Sequence, residues 1–425
     1  MPAAAALETI AVSSLRVGMF VQLDLSWLSH PFPLNSFRIS SEEQIATIRA
    51  LGLERVRWSS AHSELDAGRA AGDAGVTPAD GAESPTARAR REHRERLHAQ
   101  RAGLVQCERQ FAEATHELKR AFDLSGSQPA EAGAQAAALA RGLSGKMLGA
   151  GELCIRLLSE AAGSKAAAHA LNVTLIAMLM GRSFGFDEAD MIDLGTGALM
   201  HDIGKLDLPD RVRNREDDFS AAEQRLYEQH VALGIAQARR MGLSAAATLV
   251  IAQHHEHADA SGFPLKLNTD RMSLPARIVA LVNRYDNLCN PQLAARALTP
   301  HEALSALFAQ SQTQFDTAIL GAFIKMMGVY PPGSAVQLTD DRYALVVSVN
   351  SSRPLKPRVM VHDPRVPSDE ALLLDLEQAG TIGIRRSLHA KQLPPAAQAY
   401  LAPRRRVAYF FEPAPDRDAD PPTGN

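Results

Sequence analysis

HDIGK at residues 201–205 and HHEHADASGFP at residues 254–264 are the stretches on which the reading of this chain turns. The first sets Asp202 directly after His201 and Lys205 three residues further on. The second brings in His254, His255 and His257, and His169 and His230 lie on neighbouring helical segments that can converge with them. A lone histidine on an apolar stripe is usually a hydrogen-bonded core residue. Imidazoles from several helices, together with a carboxylate able to bridge, suit a different task. They can hold two cations that activate a hydroxide and neutralise a phosphoryl oxygen. Such ligation suits Fe, Mn, Ni or Zn, and spacing alone does not choose among them. Lys205, on the same helical face as Asp202, can reach a phosphate bound there.

Working outward from these stretches, the pattern is helical from about Leu153 to Tyr330, with segments near 169–184, 188–203, 220–241, 245–257, 275–289, 300–311 and 316–328. Ile278, Leu281, Val282, Tyr285 and Leu288 follow a helical stripe behind Pro275, a residue tolerated in a first turn. Ser220 and Glu223 form a capping-box pattern before the segment that carries His230. Residues 153–332 are therefore expected to be an all-α domain. Tyr330-Pro331-Pro332-Gly333 breaks that pattern, and β-rich runs beyond it predict a small β-rich domain over 333–412, with a disordered tail over 413–425.

Towards the N-terminus, β-rich runs at 10–12, 19–21 and 56–58 flank a helix opened by Ser41 and Gln44 and closed by Gly52, which predicts a small α+β domain over 1–60. Residues 61–86, rich in Ala, Gly, Asp and Ser, read as a flexible linker. Residues 87–152 read as a helical connecting region whose basic start, RARREHRERLHAQR, is taken as the solvated face of a long helix. The fold class is thus multidomain: a central helical domain between a small α+β domain and a small β-rich one.

Composition bounds the partners. With 45 basic and 48 acidic residues the net charge is −3, so no overall field favours DNA. No stretch approaches the ~20 apolar residues that span a bilayer. Cys107, Cys154 and Cys289 are an odd set of widely spaced cysteines, which suits reduced thiols in a cytoplasmic protein.

His201 to Lys205 matches the HDxGK signature of HD domains, and His254 to Pro264 resembles the HHExxDGxGYP signature of the HD-GYP subfamily. The resemblance covers about residues 150–332, and the first 60 or so resemble the small domain often attached to such proteins. It implies hydrolysis of cyclic di-GMP to pGpG, or further to GMP, by a metal-held hydroxide at a two-ion site, with iron or manganese expected. His169, His201, Asp202, His230, His254 and His255 match the family's metal ligands, with Asp202 bridging. Lys205 matches the phosphate-holding residue. Asp259, Ser261, Gly262, Phe263 and Pro264 form the loop beside the substrate, with Phe263 in place of the usual tyrosine.

Several positions depart from the family pattern. Asn283 stands where the family's last metal ligand is an aspartate, and Asp286 one turn later is assigned to the substrate side. Gln292-Leu293-Ala294-Ala295 replaces an Arg-Pro-Tyr-Lys or Arg-Pro-Tyr-Arg run whose cations grip substrate phosphates; Arg284 and Arg296 are candidate replacements. Lys165 stands where three-metal members carry a glutamate, so two ions are expected at most. Ala260 replaces a glycine, which matters only where φ is positive. The alternative reading is a degenerate module that senses a nucleotide or binds other signalling proteins.

Overall fold

In a computed structural model, residues 8–414 are described apart from 26–29, 31, 33–35, 61–62, 64–83, 160–163, 215–218, 311–312 and 405. The chain falls into two compact units, Met1–Glu95 and Arg96–Asn425.

The first unit contains strands β1 (Glu8–Ala11), β2 (Phe20–Gln22) and β3 (Ser36–Arg38), helix α1 (Glu42–Ala50) and strand β4 (Arg55–Ser59). The antiparallel sheet runs β1-β4-β2-β3. Val12, Val21, Leu23, Ile39, Ile45, Ile48 and Val56 fill its core. β3 was not foreseen, because its Ser-Phe-Arg sequence has too few apolar residues to show a period. Ser41 Oγ accepts from Gln44 N as expected, but Gln44 Oε1 accepts from Ser40 N instead of Ser41 N, so the capping is shared between two residues. The expected linker falls mostly outside the described residues, and its last two positions already belong to helix α2 (Pro85–Leu124).

In the second unit the end of α2 is followed by α3 (Pro129–Gly149), β5 (Leu153–Leu157), α4 (Lys165–Ser183) and α5 (Glu188–Met200). A 3-10 turn at Ile203–Asp207 leads to α6 (Asp210–Arg213), α7 (Ala221–Arg240), α8 (Ala245–Gln253), α9 (Leu274–Cys289), α10 (Pro300–Gln310) and α11 (Thr317–Met327). α4 is buried on nearly all faces from Ala167 to Gly181 and is the centre of the bundle, packed on α5 and α9. Ser220 completes the expected capping box with Glu223 at the start of α7.

α3 is no mere connection. It packs along α5 with Ala136, Leu139, Ala140 and Leu143 buried, and its small residues let the two helices approach closely. The expected helix from Leu153 is also corrected. Residues 153–157 form β5, buried throughout, which pairs with two strands from the far end of the chain. Those strands belong to a seven-stranded antiparallel sheet built from β5 with β6 (Ala335–Leu338), β7 (Tyr343–Asn350), β8 (Arg358–Val361), β9 (Leu374–Asp375), β10 (Ile384–Leu388) and β11 (Tyr409–Pro413). A short helix, α12 (Pro395–Leu401), precedes β11.

The β-rich segment is therefore not a separate body, because β5 and β11 tie it to the helices. Tyr409 Oη lies 3.2 Å from Tyr285 Oη on α9, and Tyr409 N donates to Asn172 Oδ1 on α4 at 3.1 Å. The expected tail begins later than position 413: Pro413 pairs with Leu153, and Ala414 N donates to Glu152 O. Residues 415–425 lie outside the described set.

Candidate metal centre

Four helices deliver the histidines. His169 sits in the second turn of α4, His201 caps the C-terminus of α5, His230 lies within α7 and His254 caps the C-terminus of α8. The last three share one device. Nδ1 of His201, His230 and His254 lies 2.6–2.7 Å from the carbonyl three residues earlier, of Ala198, Tyr227 and Ile251. A carbonyl can only accept, so each Nδ1 carries the proton and each Nε2 keeps a free lone pair. His169 reaches the same tautomer through Asp286, whose Oδ2 lies 2.6 Å from Nδ1.

These Nε2 atoms meet around one carboxylate. His169 and His201 lie 3.7 and 3.5 Å from Asp202 Oδ2; His230 and His254 lie 3.7 and 3.5 Å from Oδ1. Two groups of potential ligand atoms result, His169–His201–Asp202 and Asp202–His230–His254–His255, with Asp202 common to both. Nε2 of His169 faces that of His201 at 3.3 Å, and Nε2 of His230 faces that of His254 at 3.3 Å. Two lone pairs held at that distance repel unless a cation lies between them. Asp202 Oδ1 and His255 Nε2 are buried without a hydrogen-bond partner. The donor set therefore fits two ions, one on each side of Asp202.

The electrostatics favour the ligating protonation state of three of the histidines and of Asp202. Burial pushes the His201 and His230 imidazoles down to about 3, and it holds His255 well below its ordinary value. These rings stay neutral at physiological pH, as ligands must. Burial would lower His169 too, but its hydrogen bond to Asp286 outweighs that and raises it. Burial would likewise raise Asp202, yet the Lys205 ammonium and His201 hold its carboxyl well below the usual range. Lys205 Nζ donates to Asp202 Oδ2 at 2.6 Å and lies 5.1 Å from the centroid of the Tyr227 ring.

Close approach of the backbone explains two glycines. A Cβ on Gly204 would lie 2.0 Å from His230 O, so only glycine lets the turn after Asp202 press against α7. A Cβ on Gly262 would lie 2.4 Å from His255 O. Glu256 pins the same loop by accepting from Leu265 N and Leu267 N. Ala260 does adopt a positive φ, 61°, the case in which losing glycine costs free energy.

Sequence comparison agrees with this geometry. Residues 152–319 match the family model described as HD domain. This part of the chain is an HD domain. Residues 7–136 match a second model, a domain of unknown function numbered 3391. Among similar proteins is the cyclic di-GMP phosphodiesterase PA4108 of Pseudomonas aeruginosa, 28% identical, with the match covering 88% of this chain and 90% of that protein. The 3′3′-cGAMP-specific phosphodiesterase 3 of Vibrio cholerae is 27% identical over 39% of this chain and 36% of its own length. A solved HDG"Y"P protein of Bdellovibrio bacteriovorus, Bd1817, aligns with a TM-score of 0.41 at 15% identity, covering 75% of this chain and 98% of that one.

Not every expected residue of the HD-GYP site stands where it was assigned. Asn283 lines the cleft, but its Oδ1 already accepts from Asn287 Nδ2 at 2.7 Å, and an amide nitrogen is no ligand. Asp286 is fully buried and not free for substrate: Oδ2 engages His169, and Oδ1 accepts from both Asn172 and Asn290 at 3.0 Å. Asp259 and Ser261 shape the loop instead of lining the cleft, since Asp259 accepts from Ser261 N and Thr313 Oγ1. Ser261 Oγ is 2.9 Å from Nδ1 of His257, which lies outside both ligand groups. Phe263 stacks on His255 with ring centroids 4.5 Å apart, and Pro264 follows it in the loop. Sequence reasoning missed Asn172, Tyr227, Glu256 and Asn290. Glu256 alone had a signal, as the third residue of the second signature.

Proposed function

We propose that the protein is a metal-dependent cyclic di-GMP phosphodiesterase that opens a 3′–5′ phosphodiester bond to give pGpG and, by a second cleavage, GMP. The observation that carries this is the shared carboxylate, Asp202, with a pair of facing Nε2 lone pairs on each side. A bound pair of divalent ions supplies a nucleophile from water at neutral pH and charge to balance the phosphoryl oxygens. Imidazole-rich ligation with one carboxylate suits Fe, Mn, Ni or Zn, and the resemblance to HD-GYP proteins favours iron or manganese among them.

The chain's own residues do the rest. His169, His201, His230, His254 and His255 present ring nitrogens, Asp202 offers one oxygen to each side, and Lys205 sets an ammonium beside that carboxylate. Two adjoining cavities, of about 900 and 560 Å³, meet at Lys205, Arg213, Asn287, Gln292 and Leu293. Such volumes are those of small-molecule sites. Tyr227 and Phe263 wall the second cavity with rings against which a guanine base can stack.

No described helix is long and apolar enough to cross a membrane, and the three cysteines are free and buried. Both facts fit cytoplasmic residence, where the substrate would be met. The test is metal content of protein purified with and without oxygen, together with chromatography of products from cyclic di-GMP, 3′3′-cGAMP and pGpG. Two ions per chain, release of pGpG from cyclic di-GMP, and loss of turnover in Asp202→Ala are expected. Two bound ions without turnover of any of the three would reject the activity.

A further inference from the structure

The run in which related sites carry phosphate-gripping cations is Gln292-Leu293-Ala294-Ala295 here. The two cation positions of that run are taken by Gln292, which lines both cavities, and Ala295, so an amide and a methyl group stand where two positive charges are expected. A cyclic dinucleotide has two phosphodiesters. When one lies at the metal centre, the other needs a partner elsewhere in the cleft.

The larger cavity offers one from an unexpected part of the chain. Arg406, three residues before the first residue of β11, lines it together with His169 and Asp202. Arg406 is half-buried, and no carboxylate among the described residues pairs with it. The backbone that carries it is fixed. Val407 O accepts from Asn172 Nδ2 at 3.0 Å and from Asn290 Nδ2 at 2.9 Å, and Val407 N donates to Asn290 Oδ1 at 2.9 Å. The same two asparagines hold Asp286, which orients His169. Arg406 is thereby set in fixed register with the metal centre, as a grip on a second phosphate must be. Lys165 at the start of α4 lines the same cavity and adds a second cation.

We infer that Arg406, supplied by the C-terminal sheet, replaces the missing cationic run and binds the phosphodiester that is not being cleaved. This rests on the reading of the site as a cyclic dinucleotide phosphodiesterase. A planar guanidinium donating to phosphate oxygens is among the stronger hydrogen-bonded pairs.

The experiment compares the manganese-loaded full chain with Arg406→Ala, Arg406→Lys and Arg404→Ala. Turnover of cyclic di-GMP and of bis(p-nitrophenyl) phosphate, which has a single phosphodiester, is measured for each. Affinity is read separately from the anisotropy of a fluorescent cyclic di-GMP analogue. Arg406→Ala is expected to raise KM for cyclic di-GMP and weaken the analogue about 10- to 100-fold, with a smaller change in kcat. The ratio of kcat/KM between cyclic and single-diester substrates should fall at least tenfold. Arg406→Lys should recover part of the loss, and Arg404→Ala should match wild type. Unchanged analogue affinity in Arg406→Ala, or equal losses on both substrates, overturns the inference. Wild-type chain that binds the analogue without turning over either substrate overturns the catalytic reading alone, and the Arg406→Ala affinity still decides the grip. Wild type that neither binds nor hydrolyses overturns both.

Discussion

Asp286→Asn keeps the volume of a buried side chain and removes its charge, and the surrounding hydrogen bonds dictate how the amide must sit. Two amide donors, Asn172 Nδ2 and Asn290 Nδ2, point at Oδ1, so the new carboxamide has to keep its oxygen at that end. Its NH₂ then faces His169 Nδ1, which can respond only as an acceptor. The proton of His169 moves to Nε2, the atom 3.3 Å from Nε2 of His201, and the lone pair meant for a cation is lost. Removing the group that orients a ligating histidine typically costs 10- to 100-fold in metal affinity, or about 1.4–2.7 kcal/mol at 1.36 kcal/mol per decade. The loss should fall on one ion only, because His230 and His254 take their tautomers from backbone carbonyls. Calorimetric titration of metal-stripped protein with Mn²⁺ should therefore show one step unchanged and the other weakened by that factor, with thermal unfolding in chelator confirming an intact fold. Two unchanged steps, or two equally weakened ones, would refute this account of how the tautomers are set.

Four further outcomes follow from particular contacts. Asn283→Asp adds a carboxylate to the cavity wall that also contains His254 and His255; metal retained after dialysis against chelator should reflect an affinity at least about tenfold higher. Ala260→Gly relieves a φ of 61° and should raise the urea-derived unfolding free energy by about 1 kcal/mol. Gly204→Ala drives a methyl into His230 O and should destabilise by about 3 kcal/mol or more while lowering metal content. Burial, only partly offset by Glu113, lowers the Lys146 amine from 10.5 to about 7. Between those values the unfolded chain binds a proton that the folded chain lacks, so wild-type stability should rise with pH across that window. Lys146→Met should then be the more stable protein at pH 7, by an amount on the order of a few kcal/mol, with an advantage that shrinks towards pH 10 in denaturant titrations.

What was legible in the sequence was local. Helical stripes placed α4, α5 and α7 to α11 within a few residues, because most of these helices bury one face against the bundle and the period of burial is the period of the helix; the four-residue α6 is too short to show one. The two signatures located the histidines because a turn pressed against α7 admits only Gly204, and a loop folded back over His255 admits only Gly262. Sequence could not show where a side chain's second hydrogen bond goes. Asp286 was read as facing substrate since it lies one turn from Asn283, yet three partners at separations of 117, 114 and 4 residues turn it towards His169. Strand β5 was missed for a related reason. Five buried residues before a helix have no period of their own, and the partners that make them a strand lie near residues 350 and 410.

Those distant partners change what the C-terminal segment is for. Had the β-rich part been a separate domain, its removal would leave the HD bundle whole. Instead, Val407 is the hub of a network in which Asn172 and Asn290 each hold both the backbone leading into β11 and Asp286. Removing the chain from Arg406 onward would take a hydrogen-bond acceptor from two asparagine side chains, one buried and one half-buried, and unsatisfied buried groups of this kind cost about 1–3 kcal/mol each. Those asparagines are the ones that fix Asp286 and, through it, the tautomer of His169. The C-terminal sheet is in this sense part of the metal centre. A chain ending before residue 406 should therefore bind its His169-side ion more weakly even where its helical content by circular dichroism is retained. Unaltered affinity in such a folded chain would show that Asp286 holds its position without the sheet.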